Sequence, residues 1–241
     1  MRRDRSVSLA RPMRPLEPGL TLRSYRLVRR LGVGGVGQVW LAHDTRGAEV
    51  ALKARARLGG DDERRFRQEF EKLRTLRLPG VVRVFDTGVD QGYAYFTMEV
   101  AHGVAFDAYV QGGDSLGDRV RRAATAGAQV ARALAGVHRL GLAHRDIKPQ
   151  NVMVDETGRA TVLDFGTLRF GVDADTSSEL MGTVAYMAPE QRIGLPHDQQ
   201  VDLYALGATL HEALSGIAAA RWKPGRPRPS LARLGPDVPL G

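Results

Sequence analysis

Apolar and polar positions alternate with a period of two in several short stretches of the first hundred residues. At helical spacing they recur through much of the chain that follows. Residues 25–28, 38–42 and 49–53 read as strands. Residues 81–86 and 93–100 read as two more, joined by a turn carrying Gly88, Asp90 and Gly92. Between these two groups, residues 61–77 turn helical, with Phe66, Phe70, Leu73 and Leu76 at helix spacing and Pro79-Gly80 as the stop signal. The short hairpin links predict a small antiparallel five-stranded sheet with one helix. After Ala101 the pattern becomes helical. Val120, Ala123, Gly127, Val130, Leu134 and Val137 step by three and four, Arg121, Arg122, Arg132 and Arg139 lie off that face, and Gly141 is placed to end the helix. Short strands are expected at 152–154 and 161–163, and a last strong helix at 202–214, ending near Gly216. Residues 166–182 are too irregular for either period.

Composition changes this picture little. The chain has 241 residues, 43% hydrophobic and 26% charged, as an ordinary globular protein does. Its net charge of +8 raises nucleic acid or an anionic surface as partner. The excess is mostly arginine at the two ends and on helix faces, which a nucleotide or acidic peptides would explain equally well, so nucleic acid is not the expected partner. If residues 1–23 did bind DNA, the affinity would be strongly salt-dependent and would vanish with their removal. Without cysteine, disulfides and thiolate metal sites are excluded. The longest apolar run, 203–220, is interrupted by His211 and Glu212 and reads as a buried helix, not a membrane span. With no signal-peptide pattern at the N-terminus, a cytoplasmic protein is expected. Residues 1–23, rich in Arg and Pro, read as a disordered basic tail, and residues 223–241 as a second Pro/Arg-rich tail.

The densest chemistry lies in His144-Arg145-Asp146-Ile147-Lys148-Pro149-Gln150-Asn151, directly before the apolar run Val152-Met153-Val154. So many charges between apolar segments are costly to bury unless paired, which marks a functional loop. Gly32-x-Gly34-x-x-Gly37 is followed by β-type residues, not by a helix, so it reads as a hairpin able to lay backbone N–H groups over phosphates. Lys53 ends an apolar strand and needs an anionic partner. On the following helix Glu69 falls near the Phe66/Phe70/Leu73 face and Glu71 nearly opposite, so Glu69 is the inward candidate. Asp164 emerges at a strand end before Phe165-Gly166. Asn151 and Asp164 offer hard oxygens of the kind magnesium prefers beside phosphates. The histidines lack metal-ligand spacing, and His138 and His144 read as groups that orient backbone.

Together with Val50-Ala51-Leu52-Lys53 and Ala188-Pro189-Glu190, these motifs stand in the order and spacing of the protein kinases. The chain resembles that family over roughly residues 25–216, and residues 182–191 resemble its bacterial, eukaryotic-like (Hanks-type) serine/threonine branch. The resemblance implies a two-lobed α+β fold with an ATP-binding lobe at 24–101 and a mainly helical lobe at 102–222. It implies ATP and Mg2+ as cofactors and a protein with Ser/Thr acceptors as substrate. Asp146 would be the catalytic base, Lys148 would steady the transferred phosphate, and Lys53 would hold the α- and β-phosphates and pair with Glu69. Asn151 and Asp164 would hold the metal. Leu31, Gly32, Gly34, Gly35 and Gly37 would cover the nucleotide, and adenine would lie between Val39 and Ala51 on one side and Met153 on the other. Met98 would be the gatekeeper, with Glu99 and Ala101 offering backbone groups to the purine. Arg145 implies control by activation-loop phosphorylation, with Thr176, Ser177 and Ser178 as acceptors and self-association for trans-autophosphorylation. Asp202 resembles the aspartate that braces the catalytic loop. The family continues past this helix with further helices, one bearing an arginine for the glutamate at Glu190. A shortened second lobe is therefore expected, and with it the alternative of a catalytically impaired ATP-binding pseudokinase or scaffold. A small-molecule phosphotransferase is disfavoured by Lys148, Phe165-Gly166 and Thr183.

Overall fold

The computed structural model describes residues 14–34, 37–56, 70–71, 73–164, 184–195, 198–221 and 231. Strands β1 (Thr21–Leu22), β2 (Tyr25–Gly34), β3 (Gly37–His43), β4 (Glu49–Ala56), β5 (Val84–Asp90) and β6 (Tyr93–Met98) form one sheet in the order β1-β2-β3-β4-β6-β5, antiparallel throughout. This is the expected antiparallel sheet with one strand more, and with the strand expected at 81–86 lying at Val84–Asp90 instead. The additional strand, β1, falls inside the stretch read as a disordered tail, and that reading is corrected from Arg14 onward. Leu20 and Leu22 are buried against Trp40, Leu52 and Tyr95, with Leu16 packed beside them. The Tyr93 hydroxyl donates to the Arg14 carbonyl, and the Gln91 amide to that of Thr21. Leucines spaced along a Pro/Arg-rich background are enough to seal one face of the sheet.

Strand alternation explains why β4 and β6 are buried on both sides. Val50, Leu52, Ala54, Tyr93 and Tyr95 point into this outer cluster. Ala51, Ala94, Phe96 and Met98 point into a larger cluster that continues through the rest of the molecule. Of the helix expected at 61–77, Phe70, Glu71 and residues 73–75 are helical, with Phe70, Leu73 and Leu76 buried; the remainder, Glu69 included, lies outside the described residues.

A second sheet, β7 (Val104–Ala105), β8 (Val152–Val154) and β9 (Ala160–Val162), is also antiparallel. β7 and the helix after it, α1 (Phe106–Gln111), were not anticipated. α2 (Leu116–Arg139) starts where the Ser115 side chain accepts from the Asp118 N–H at 3.1 Å, and closes at Gly141, whose N–H donates to the His138 carbonyl. A short α3 (Pro189–Arg192) precedes α4 (Gln200–Ser215). α4 is apolar nearly all round, as a helix in the middle of a protein should be. At Gly127 of α2 any Cβ would stand 2.9 Å from Leu210, so the missing side chain sets how closely α2 and α4 approach. The two sheets are joined by backbone: Val82 N–H donates to Val162 O at 3.0 Å, and Val162 N–H to Gly80 O at 2.8 Å. Among the described residues no helix is long and apolar enough to cross a membrane.

Gly103 links the first sheet to β7 with φ +113°, and a Cβ there would meet Val154 O at 2.1 Å. Gly103→Ala therefore combines backbone strain with a backbone clash. It should lower stability by roughly 1–3 kcal/mol, read as a reduced urea midpoint at an unchanged m-value.

Candidate active site

The loop from Ala143 to Asn151 leaves α2 and enters β8, and its alternation decides what it presents. His144 and Ile147 are fully buried, Asp146 nearly so, and Arg145 is exposed. The anchor is Asp202, in the first turn of α4 and wholly inaccessible. Its carboxylate accepts from the backbone N–H groups of His144 and Arg145, each at 2.7 Å, and lies 2.8 Å from His138 Nε2. Those bonds hold Arg145 at φ +65°, a region that non-glycine residues seldom occupy.

His144 carries the constraint onward. Its Nε2 lies 2.6 Å from the Leu163 carbonyl and its Nδ1 accepts from the Asp146 N–H at 3.3 Å, which fixes the neutral tautomer with hydrogen on Nε2. Burial pushes its pKa below the ordinary value, against the opposing pull of Asp202. The Leu163 N–H in turn donates to the Asn151 carbonyl at 2.8 Å, so the polar loop and the strand end before Asp164 are tied twice. Asp164 follows at φ +48°, again a strained position for a side chain.

Five of the expected polar residues converge here, in two groups. Asn151 Nδ2 donates to the Asp146 carbonyl at 2.7 Å and to Asp146 Oδ2 at 2.9 Å; Lys148 Nζ stands 3.1 Å from the same carboxylate oxygen. Lys53, brought in by β4, binds Asp164 with both carboxylate oxygens, one at 2.5 Å. The expected partner of Lys53, Glu69, lies outside the described residues; among the described residues Lys53 binds the aspartate expected to hold metal, a contact the sequence reading did not include.

The apolar expectations group around the same place. Ala51 and Met98 are cross-strand neighbours and buried, Val39 pairs with Lys53 and packs on the same core, and Met153 is half-buried on β8. Leu31 and Gly32 are exposed on β2, Gly34 ends that strand, Gly37 begins β3, and Gly35 is outside the described residues. The Glu99 N–H donates to the Arg83 carbonyl at 2.9 Å, so that residue can offer a purine only its carbonyl; the half-buried Ala101 lies two residues on. Phe165, Gly166, Thr176, Ser177, Ser178 and Thr183 lie outside the described residues.

The description of the protein kinase domain family fits residues 25–224. The chain belongs to the protein kinase family. Among curated relatives it is 40% identical to the DNA damage-responsive serine/threonine-protein kinase RqkA of Deinococcus radiodurans, over 84% of this chain and 31% of that protein. It is 37% identical to the serine/threonine-protein kinase PknA of Mycobacterium tuberculosis, over 82% of this chain and 48% of that protein. It thus spans half or less of these relatives' length. Among solved structures, the PknI kinase domain of M. tuberculosis superposes with a TM-score of 0.69 at 27% identity, covering 93% of this chain and 87% of that one.

One contact of this kinase was not foreseen. Tyr186 donates to Glu212 Oε2 at 2.6 Å, and the Ala219 N–H donates to the same oxygen at 2.8 Å, which ties the segment before Ala188-Pro189-Glu190 to α4. Burial, then the Glu212 hydrogen bond, raises the Tyr186 pKa.

Asp202→Ala would leave the backbone N–H groups of His144 and Arg145, the first of them buried, and His138 without their acceptor. It should cost roughly 3–5 kcal/mol, seen in urea denaturation. The pH dependence has a defined sign. His144 is neutral when folded and its pKa is lowered, so below about 6.5, its ordinary value, the unfolded chain binds the extra proton. Stability should be complete above that pH and fall on acidification, by up to about 1.4 kcal/mol per pH unit. Urea midpoints at pH 7.5 and 5.5 should show a smaller drop for His144→Asn than for the unsubstituted protein.

Proposed function

We propose that the chain transfers the γ-phosphate of Mg-ATP to serine or threonine hydroxyls of proteins. The reading is carried by one observation: Asp146, nearly buried, is held by Asn151 on one side and Lys148 on the other, on a loop braced from below by Asp202. A carboxylate so oriented can accept the hydroxyl proton of an incoming side chain, and Lys148 can offset charge on the group in transfer. The donor set suits magnesium. Asn151 directs its amide nitrogen to Asp146, which leaves Oδ1 as an acceptor, and Asp164 adds a carboxylate at the adjoining strand end. The metal, when bound, supplies charge neutralisation on the phosphates. Lys53 is the cation for the α- and β-phosphates. Val39, Ala51, Met98 and Met153 would enclose the purine, with the Glu99 carbonyl and the Ala101 N–H at its edge, under Leu31 and the glycine-rich turn. Little covalent chemistry is asked of the protein, since positioning and charge stabilisation carry the transfer.

The serine/threonine acceptor is supported by the names of relatives at 37–40% identity and by Lys148, two residues after Asp146. We place the ATP-binding lobe from the β1 region to Ala101, the catalytic lobe from His102 to Trp222, and the activity in the cytoplasm. Arg145, exposed beside Asp146, would pair with a phosphate on Thr176, Ser177 or Ser178 added by a second copy of the chain.

With labelled ATP and a generic acceptor protein, Asp146→Asn should reduce incorporation about 10²–10⁴-fold. Equal incorporation by both proteins would overturn the assignment. Mass spectrometry of the active protein should locate self-phosphorylation within residues 173–178, and an unmodified segment would contradict the proposed control.

A further inference from the structure

Away from the polar loop, the connection between the two sheets carries a concavity of about 610 Å³, between residues 99–102, the hinge that leads from the first sheet to β7, and the β8–β9 turn. None of Lys53, Asp146, Asn151 and Asp164 lines it. Its less accessible walls are Leu78, Val82 and Val100, and its exposed rim carries Arg77, Arg83 and Arg159.

Each guanidinium is oriented but has donors to spare. Arg77 Nη1 binds the carbonyls of Arg74 and Leu76 where the preceding helix ends, at 2.8 and 2.9 Å. The Arg83 guanidinium lies over the Phe85 ring, 5.8 Å from its centroid. Arg159 uses Nε on Asp155 Oδ2 at 3.3 Å. Among the described residues neither Arg77 nor Arg83 has an ion-pair partner. Two carboxylates line the same concavity. Asp155 is already satisfied by the Thr157 hydroxyl, the N–H groups of Thr157 and Arg159, and the Arg159 side chain, which together hold it down to about 2. That leaves Glu99 alone against two unpaired arginines.

The shape points to a chain and not to a small ion. A neighbouring concavity of about 1040 Å³ shares His102 and Asp155 with the first and continues along β7 and the β8–β9 turn to α2. Together they make a track with cations at the hinge end and apolar walls at Leu78, Val82 and Val100; its far part adds Arg121 and Arg122, both bound to Asp118, and one more carboxylate, Glu156. We propose that this track docks an extended acidic segment of a protein partner, with its carboxylates on Arg77 and Arg83 before the hinge and on Arg159 after it. Carboxylates suit the planar donor edge of arginine, and the apolar walls take the side chains between them. A partner held there would touch the Val82–Val162 backbone joint and the outer side of Glu99 and Ala101, without meeting Lys53, Asp146, Asn151 or Asp164.

The test uses the full chain without nucleotide, so phosphotransfer has no bearing on it. A fluorescein-labelled peptide alternating glutamate and valine is titrated by anisotropy against the same peptide with glutamine for glutamate. The acidic peptide should bind and the glutamine peptide should not. Arg77→Glu/Arg83→Glu should weaken binding by about tenfold or more, while Arg26→Glu/Arg46→Glu, an equal charge change at exposed positions elsewhere, should stay within about twofold. Should the first pair melt early, Arg77→Gln and Arg83→Gln singly give the same readout. Equal loss in both double variants, or equal binding of the glutamine peptide, overturns the proposal. So does displacement of the peptide by inorganic phosphate or free glutamate at comparable concentration, or a duplex DNA probe showing the same dependence on Arg77 and Arg83.

Discussion

A carboxylate with no access to solvent, Asp202, sits under the catalytic loop, and the geometry above it follows from how its charge is satisfied. Placing such a group inside a protein is strongly unfavourable unless hydrogen bonds replace its water. Here two backbone N–H groups and one imidazole do so, two of them from consecutive residues of the loop. Because both oxygens are engaged, the loop cannot shift without exposing an uncompensated charge. The strained backbone at Arg145 persists for the same reason, its local cost being offset by a charge-assisted bond.

From this base the constraint reaches the clustered polar side chains in two steps. His144 passes it to Leu163, and Leu163 to Asn151, so that Asp146 and Asp164 arrive from different segments with little freedom between them. The remaining participant, Lys53, comes from a sheet whose inner face shares its hydrophobic cluster with α2, β8 and α4. A continuous core and two backbone bonds at Val162 make the sheet and the helical part a connected body, with the site at their seam.

Much of this was legible in the sequence, for identifiable reasons. The strands of the first sheet and both long helices have clean periods, and α2 and α4 are bounded by glycines at their C-termini, so local rules suffice. The polar loop was conspicuous because its charges break those rules. What escaped was set by distance along the chain. Thr21–Leu22 becomes a strand only because Trp40, Leu52 and Tyr95 leave a face to cover, and the Pro and Arg residues around it masked that. Short segments such as Val104–Ala105 and α1 carry too few residues to show a period. The Lys53–Asp164 pair joins residues 111 positions apart, too far for local spacing to announce it. Tyr186 and Glu212, likewise, have nothing in their neighbourhoods to announce each other.

The reach of the Asp202 contacts has a consequence for how the protein comes into being. The groups it binds precede it by 57, 58 and 64 residues. On the ribosome, where the chain emerges from the N-terminus, the glycine-rich turn, the lysine strand and the polar loop are all made before the residue that gives the loop its shape. The first sheet is closed by hairpins and by one longer pairing, β4 with β6, and needs no residue beyond Met98. The catalytic loop has to wait for α4 to be synthesised and docked. The first sheet therefore precedes the fixed geometry of the polar loop during synthesis, and the docking of α4 is the step that completes that geometry.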